Sequence, residues 1–144
     1  MIEQDTVKLL RECDSGVHMG VDSIREVLDN VRGAPLHRLL SDSLARHEAL
    51  GRQIEALLHD YDDAGKTPPA IVKGMSWIKT NVKLALGEAD KTVADLMTDG
   101  CDMGVKSLSR YLNQYAAADE QTKDIAKELI RIESQLATDL RDYL

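Results

Sequence analysis

Gly16-Val17-His18-Met19-Gly20-Val21-Asp22-Ser23-Ile24 returns 84 residues further on as Gly100-Cys101-Asp102-Met103-Gly104-Val105-Lys106-Ser107-Leu108. Gly, Met, Gly, Val and Ser coincide, Ile24 faces Leu108, and Leu28 faces Leu112 at the same offset. Matches this dense exceed what shared helical composition supplies, so the third helix of the chain reads as a repeat of the first. The companion helices agree more loosely. Leu44-Ala45-Arg46-His47-Glu48 resembles Leu129-Ile130-Arg131-Ile132-Glu133, and both hairpins finish on Asp-Tyr, at Asp60-Tyr61 and Asp142-Tyr143. A duplicated helix hairpin accounts for both pairs.

Outward from the repeat, the apolar positions fall at helical spacing. Helix one carries Leu10, Cys13, Val17, Val21, Ile24, Leu28 and Val31, with Asp5 and Thr6 offering N-cap chemistry and Gly33-Ala34-Pro35 closing the segment. Helix two, from about Pro35 to Tyr61, carries Leu36, Leu40, Leu44, His47, Ile54, Leu58 and Tyr61. The turn between them is so short that they must be antiparallel neighbours. Asp90 can cap helix three, which reaches about Ala116 along Val93, Met97, Cys101, Gly104, Leu108, Leu112 and Tyr115. Asp119 caps helix four, with Ile125, Leu129, Ile132, Leu136, Leu140 and Tyr143 on its stripe. The expectation is one all-α domain over 1–144, an antiparallel four-helix bundle of hairpins at about 1–61 and 90–144.

The run Asp62-Asp63-Ala64-Gly65-Lys66-Thr67-Pro68-Pro69 breaks the second helix, and a short amphipathic helix follows through Ile71, Met75, Ile78, Val82 and Leu86. A helix of ~26 residues is about 39 Å long, a distance that the connection 62–89 can traverse. A single long crossover containing a short helix, the ferritin-like arrangement, is favoured over a simple up-down return. Lys73, Lys79 and Lys83 share that segment with Trp77, the one tryptophan. The primary reading is packing on the bundle flank. Docking of a protein partner is the alternative, with membrane contact behind it.

The net charge of −7 and the 3% of aromatic residues argue against nucleic acid, because phosphates are repelled and stacking platforms are few. No stretch approaches the ~20 apolar residues that span a bilayer. The N-terminus lacks a basic region leading into an apolar run, so no secretory signal is read there. Two distant cysteines form neither a disulfide framework nor a zinc-finger spacing. A reduced, cytoplasmic location is the expectation.

Each glycine inside a helix costs about 1 kcal/mol relative to alanine, so the pairs Gly16/Gly20 and Gly100/Gly104 need a reason. Their i, i+4 spacing puts each pair on one face. Two readings stand: close packing of helix one against its repeat, or a central cavity left by the missing side chains. A di-iron bundle needs two Glu-x-x-His motifs, and neither Glu48 nor Glu133 begins one. A mixed site of Cys13, His47, Glu48, Cys101 and Glu133 is the remaining metal candidate, its thiolate and imidazole donors suited to iron or zinc. Cys13 matches Met97 in the repeat and Cys101 matches Val17, counterparts that favour packing. His18, His37 and His59 lie off the stripes and read as solvated. No nucleophile elbow or phosphate loop occurs, so no catalytic residue is named.

Gly74-Met75-Ser76-Trp77-Ile78-Lys79-Thr80-Asn81-Val82-Lys83-Leu84-Ala85-Leu86, followed by Gly100-Cys101 and Leu108-Ser109-Arg110-Tyr111-Leu112, resembles bacterial ferritin-like four-helix-bundle domains of unknown function. The resemblance implies a ferritin-like fold. Cys101 and Gly104 stand where that family tends to carry acidic residues, so the usual ligand carboxylates are missing. The functional expectation is a non-enzymatic bundle without a cofactor that self-associates or binds a protein partner. The rival is an iron- or zinc-binding ferritin-like protein or oxidoreductase, and a third reading is a small apolar ligand in the glycine-lined centre.

Overall fold

The computed structural model describes residues 2–63, 65 and 88–144. Four helices carry them: α1 (Ile2–Leu28), α2 (Ala34–Asp60), α3 (Ala89–Gln114) and α4 (Glu120–Leu140), with a 3-10 turn over Arg141–Tyr143. There is no strand among the described residues. The helical stripes are largely where the spacing puts them: Leu10, Cys13, Val17, Val21 and Ile24 of α1 are buried, and so are Leu36, Leu40, His47, Ile54 and Leu58 of α2, whereas Tyr61, expected on the same stripe, is exposed because α2 stops at Asp60. Met97, Cys101 and Leu108 of α3 meet Ile125, Leu129, Ile132, Leu136 and Leu140 of α4 in the same interior. The short helix expected at Ile71–Leu86, with Lys73, Trp77, Lys79 and Lys83, lies outside the described residues.

Four hydrogen bonds set the helix directions. The Asp90 carboxylate accepts from the backbone N–H of Arg32 at 2.7 Å and of Gly33 at 2.8 Å. The start of α3 therefore sits beside the α1–α2 turn. At the other end the Asp5 carboxylate accepts from Ala117 N–H at 3.0 Å and the Thr6 hydroxyl accepts from Asp119 N–H at 2.9 Å, which ties the start of α1 to the α3–α4 turn. Hence α1 and α3 run antiparallel while α2 and α3 share a direction. The chain leaves α2 at one end of the bundle and enters α3 at the other.

These bonds revise two expectations. Neither Asp5 nor Asp90 caps its own helix. The first helix already begins at Ile2, and α3 begins after Glu88 without any side-chain cap. A carboxylate in the first turn satisfies any nearby N–H, and the opposite turn presents N–H groups freed where a helix stops and another starts. Asp119 does cap its own helix, Oδ1 accepting from Thr122 N–H at 2.8 Å. Pro35 opens α2 behind an extended Gly33, where a missing N–H costs nothing.

The interior divides into two apolar clusters. One gathers Leu9, Leu10, Val17, Leu50, Ile54, Leu108, Leu129 and Ile132. The other gathers Ile24, Val27, Leu36, Leu40, Val93, Met97, Leu136 and Leu140. Along α2 and α4 the break between them falls at His47 and Glu133, buried polar residues. Along α3 it falls around Gly104, and along α1 it falls between Val21 and Ile24, just past Gly20.

Because hydrogen bonds to a charged group contribute about 1.5–3 kcal/mol, Asp90→Ala should lower the unfolding free energy by about 2 kcal/mol. The midpoint of urea denaturation, compared with an exposed control such as Asp102→Ala, measures the loss.

Candidate functional site

The buried polar layer is built symmetrically from the two hairpins. His47 of α2 and Glu133 of α4 approach to 3.5 Å through Nε2 and Oε1. A Cβ on Gly20 would come within 2.7 Å of the His47 ring, and one on Gly104 would strike the Glu133 carboxylate. Each glycine therefore makes room for the polar side chain of its own hairpin partner. The close packing expected of these glycines is against side chains rather than against the backbone of the repeated helix. Gly16 likewise admits Leu129, at 3.3 Å from its would-be Cβ, whereas a Cβ on Gly100 would meet nothing within 4 Å.

The protonation of the pair follows from its partners. His47 Nδ1 stands 2.8 Å from the carbonyl oxygen of Ser43. That oxygen only accepts, so Nδ1 carries a hydrogen and Nε2 faces Glu133. Burial raises the Glu133 pKa above the usual carboxyl range, an effect that the hydrogen bond and charge of His47 partly offset. Glu133 Oε2 has no hydrogen-bond partner at all. A buried acceptor left in that state costs about 1–3 kcal/mol.

Beside this layer lies a cavity of about 470 Å³, lined by all four repeat glycines together with His47, Glu133, Cys101, Ile24, Met97, Leu108 and Leu136. It opens between α1 and α3, where Met19 and Met103, 84 residues apart, are 43% and 69% exposed. The walls are chiefly apolar and the polar floor is the His47–Glu133 pair. All four glycines line this space, and two of them, Gly20 and Gly104, also lie against the His47 and Glu133 side chains.

The five residues considered for a mixed metal site are divided. His47, Glu133 and Cys101 line the cavity. Cys13 is buried in the other apolar cluster, and Glu48 is held on the surface by Arg25 at 3.2 Å. Burial pushes the Cys13 thiol up to about 12, with Glu12 and Asp14 adding to the shift. Burial, then Glu133, raises Cys101 as well. Both are small buried hydrophobes in this state. A different trio comes together: the ligating atoms of Asp14, His18 and Glu55 lie within 4.8 Å of one another. Sequence reasoning set His18 and His59 aside as solvated. The available signal was the spacing Asp14-x-x-x-His18 and Glu55-x-x-x-His59, an acid and an imidazole one turn apart on each helix of a hairpin.

No protein-family model, curated protein or solved structure matches the chain. No described helix is long and apolar enough to cross a membrane.

Two outcomes follow from the polar layer. Gly100→Ala should stabilise by up to about 1 kcal/mol, whereas Gly104→Ala should destabilise by about 1–3 kcal/mol through overpacking; paired urea titrations separate them. The second concerns pH. A carboxyl whose pKa is raised on folding binds its proton more tightly in the folded state. Its contribution is fully present below the ordinary value of 4.5 and is lost as pH rises through the elevated folded value. Unfolding free energies measured from pH 4 upward should therefore shift in favour of Glu133→Gln, relative to the parent, as pH increases.

Proposed function

We propose that this chain is a non-enzymatic binding module of ferritin-like topology, and that its central cavity holds a small, largely apolar molecule bearing one hydrogen-bond donor. The observation that carries this reading is Glu133 Oε2, a buried acceptor without a partner at the wall of a cavity of about 470 Å³. Ligand pockets have this size and this makeup, apolar walls around a few convergent polar groups. A hydroxyl or amine on the guest would satisfy Oε2 while its hydrocarbon replaces water along Ile24, Met97 and Leu136. Burial of that hydrocarbon stabilises the complex by about 25 cal/mol per Å² of apolar surface.

The ferritin-like topology is supported by the shared direction of α2 and α3. Duplication of a hairpin is supported by the equivalent roles of Gly20 and Gly104, and of Asp5 and Asp90. Bacterial origin rests on the sequence resemblance. Two buried free thiols fit a reducing, cytoplasmic setting. Iron or zinc at the bundle centre is the weaker alternative, because Cys13 and Glu48 stand apart from His47, Glu133 and Cys101. Self-association has one observation in its favour, the exposed Met19 and Met103 at the cavity mouth, since methionine adapts to partner surfaces.

Thermal melting with 1-octanol, octylamine and octanoate tests the cavity reading. The alcohol and the amine should raise the melting temperature, while octanoate, which brings no hydrogen-bond donor to Oε2, should not. Both Gly100→Leu, which fills the space, and Glu133→Leu, which removes the acceptor, should weaken the effect by about tenfold, the size of one charged hydrogen bond. Absence of any shift, or a shift undiminished in both variants, overturns it. Light scattering on the same samples decides the self-association reading, which a monomer at every concentration removes.

A further inference from the structure

A separate recess of about 240 Å³ lies between α1 and α2 and shares no lining residue with the central cavity; Asp14, His18, Glu55, Leu58, His59 and Asp63 surround it. Asp14 is 5% exposed at its base. His18 Nε2 stands 3.3 Å from Asp14 Oδ1, one turn along α1. Glu55 reaches across from α2, so that three ligand-type atoms fall within 4.8 Å of one another. His59 follows Glu55 by one turn and borders the same space.

The geometry points to a divalent transition-metal site here, with Asp14, His18 and Glu55 as ligands and zinc as the best-suited ion. Tetrahedral zinc with nitrogen and oxygen ligands at ~2.0–2.2 Å holds those atoms about 3.3–3.6 Å apart. Asp14 and His18 already stand at that separation. Glu55 is an exposed side chain on a fixed helix and needs only a rotamer adjustment to close the remainder. Mixed imidazole and carboxylate donors suit zinc better than magnesium or calcium, which take oxygen alone.

A simple ion pair would use one carboxylate against His18. Here two carboxylates converge on one imidazole, an arrangement whose negative charge a dication relieves. His59 borders the recess without joining the converging trio, so water takes the fourth position. Asp63 is left out of the ligand set, since it accepts from Gly65 N–H at 2.8 Å and faces Arg11 at 3.7 Å. Bound metal would clamp α1 to α2 near the end of the bundle where α2 stops.

Isothermal titration of the full chain with zinc sulfate, against magnesium chloride, tests the assignment. The expected result is one zinc per chain and a rise in melting temperature that magnesium does not give. His18→Ala and Glu55→Gln change exposed or half-exposed positions and should fold normally. Each should weaken zinc binding by about tenfold or more, at least the loss seen when a ligand's supporting partner is removed. Cys13→Ser/Cys101→Ser should bind zinc as the parent does. No zinc binding at millimolar concentration, or binding that survives both His18→Ala and Glu55→Gln, overturns the proposal. Binding lost in His47→Gln but kept in His18→Ala overturns it equally, because it would move the metal to the central cavity.

Discussion

The pairing of His47 with Glu133 in the middle of the bundle is the constraint around which the rest of the core is arranged. Burying an imidazole and a carboxyl is unfavourable unless they face each other, and each occupies volume that leucine-sized neighbours would otherwise fill. Gly20 and Gly104 yield that volume, one for each partner. The apolar core is consequently split into two clusters, one on each side of the polar layer. The same glycine faces, where no polar side chain fills them, leave the cavity between α1 and α3. Stability gained from continuous packing has thus been given up at one level of the bundle, and the surrender is located where a binding site would need it.

The two turns show a related economy. Each hairpin sends the first-turn acid of its leading helix to the turn of the other hairpin, Asp5 to Ala117 and Asp90 to Arg32 and Gly33. The bonds satisfy turn N–H groups and fix the antiparallel order of α1 and α3 at both ends. With that order fixed, the faces bearing the glycines are brought opposite each other, and His47 and Glu133 meet. Helix direction, cavity and polar pair therefore depend on one another.

Much of the fold was legible in the periodicity. Val17, Ile24, Leu40, Ile54, Leu129 and Leu136 lie on stripes of spacing 3–4, and any such stripe must find another to cover it. The similarity between residues 16–24 and 100–108 was legible too, and it singled out the four glycines that line the cavity. Their reason was not legible, because an absent side chain does not name the neighbour that fills its place. Asp5 and Asp90 were misread as caps of their own helices because capping chemistry viewed locally is blind to a turn 112 or 58 residues away. His18 was set aside because it lies off the apolar stripe, yet a position beside the stripe is where a side chain can meet both a buried Asp14 and an exposed Glu55.

The sequence by itself determined four amphipathic helices, their boundaries to within a few residues, and the unusual glycine pairs, since all of these are properties of local spacing and backbone propensity. Only the tertiary structure decided that α2 and α3 share a direction, that His47 meets Glu133 rather than Glu48, that Cys13 and Cys101 belong to different clusters, and that Oε2 of Glu133 is left without a partner. Those facts depend on which helix faces which across the bundle. That choice is made by the summed packing of all four helices and by hydrogen bonds between distant turns, and no single segment encodes it.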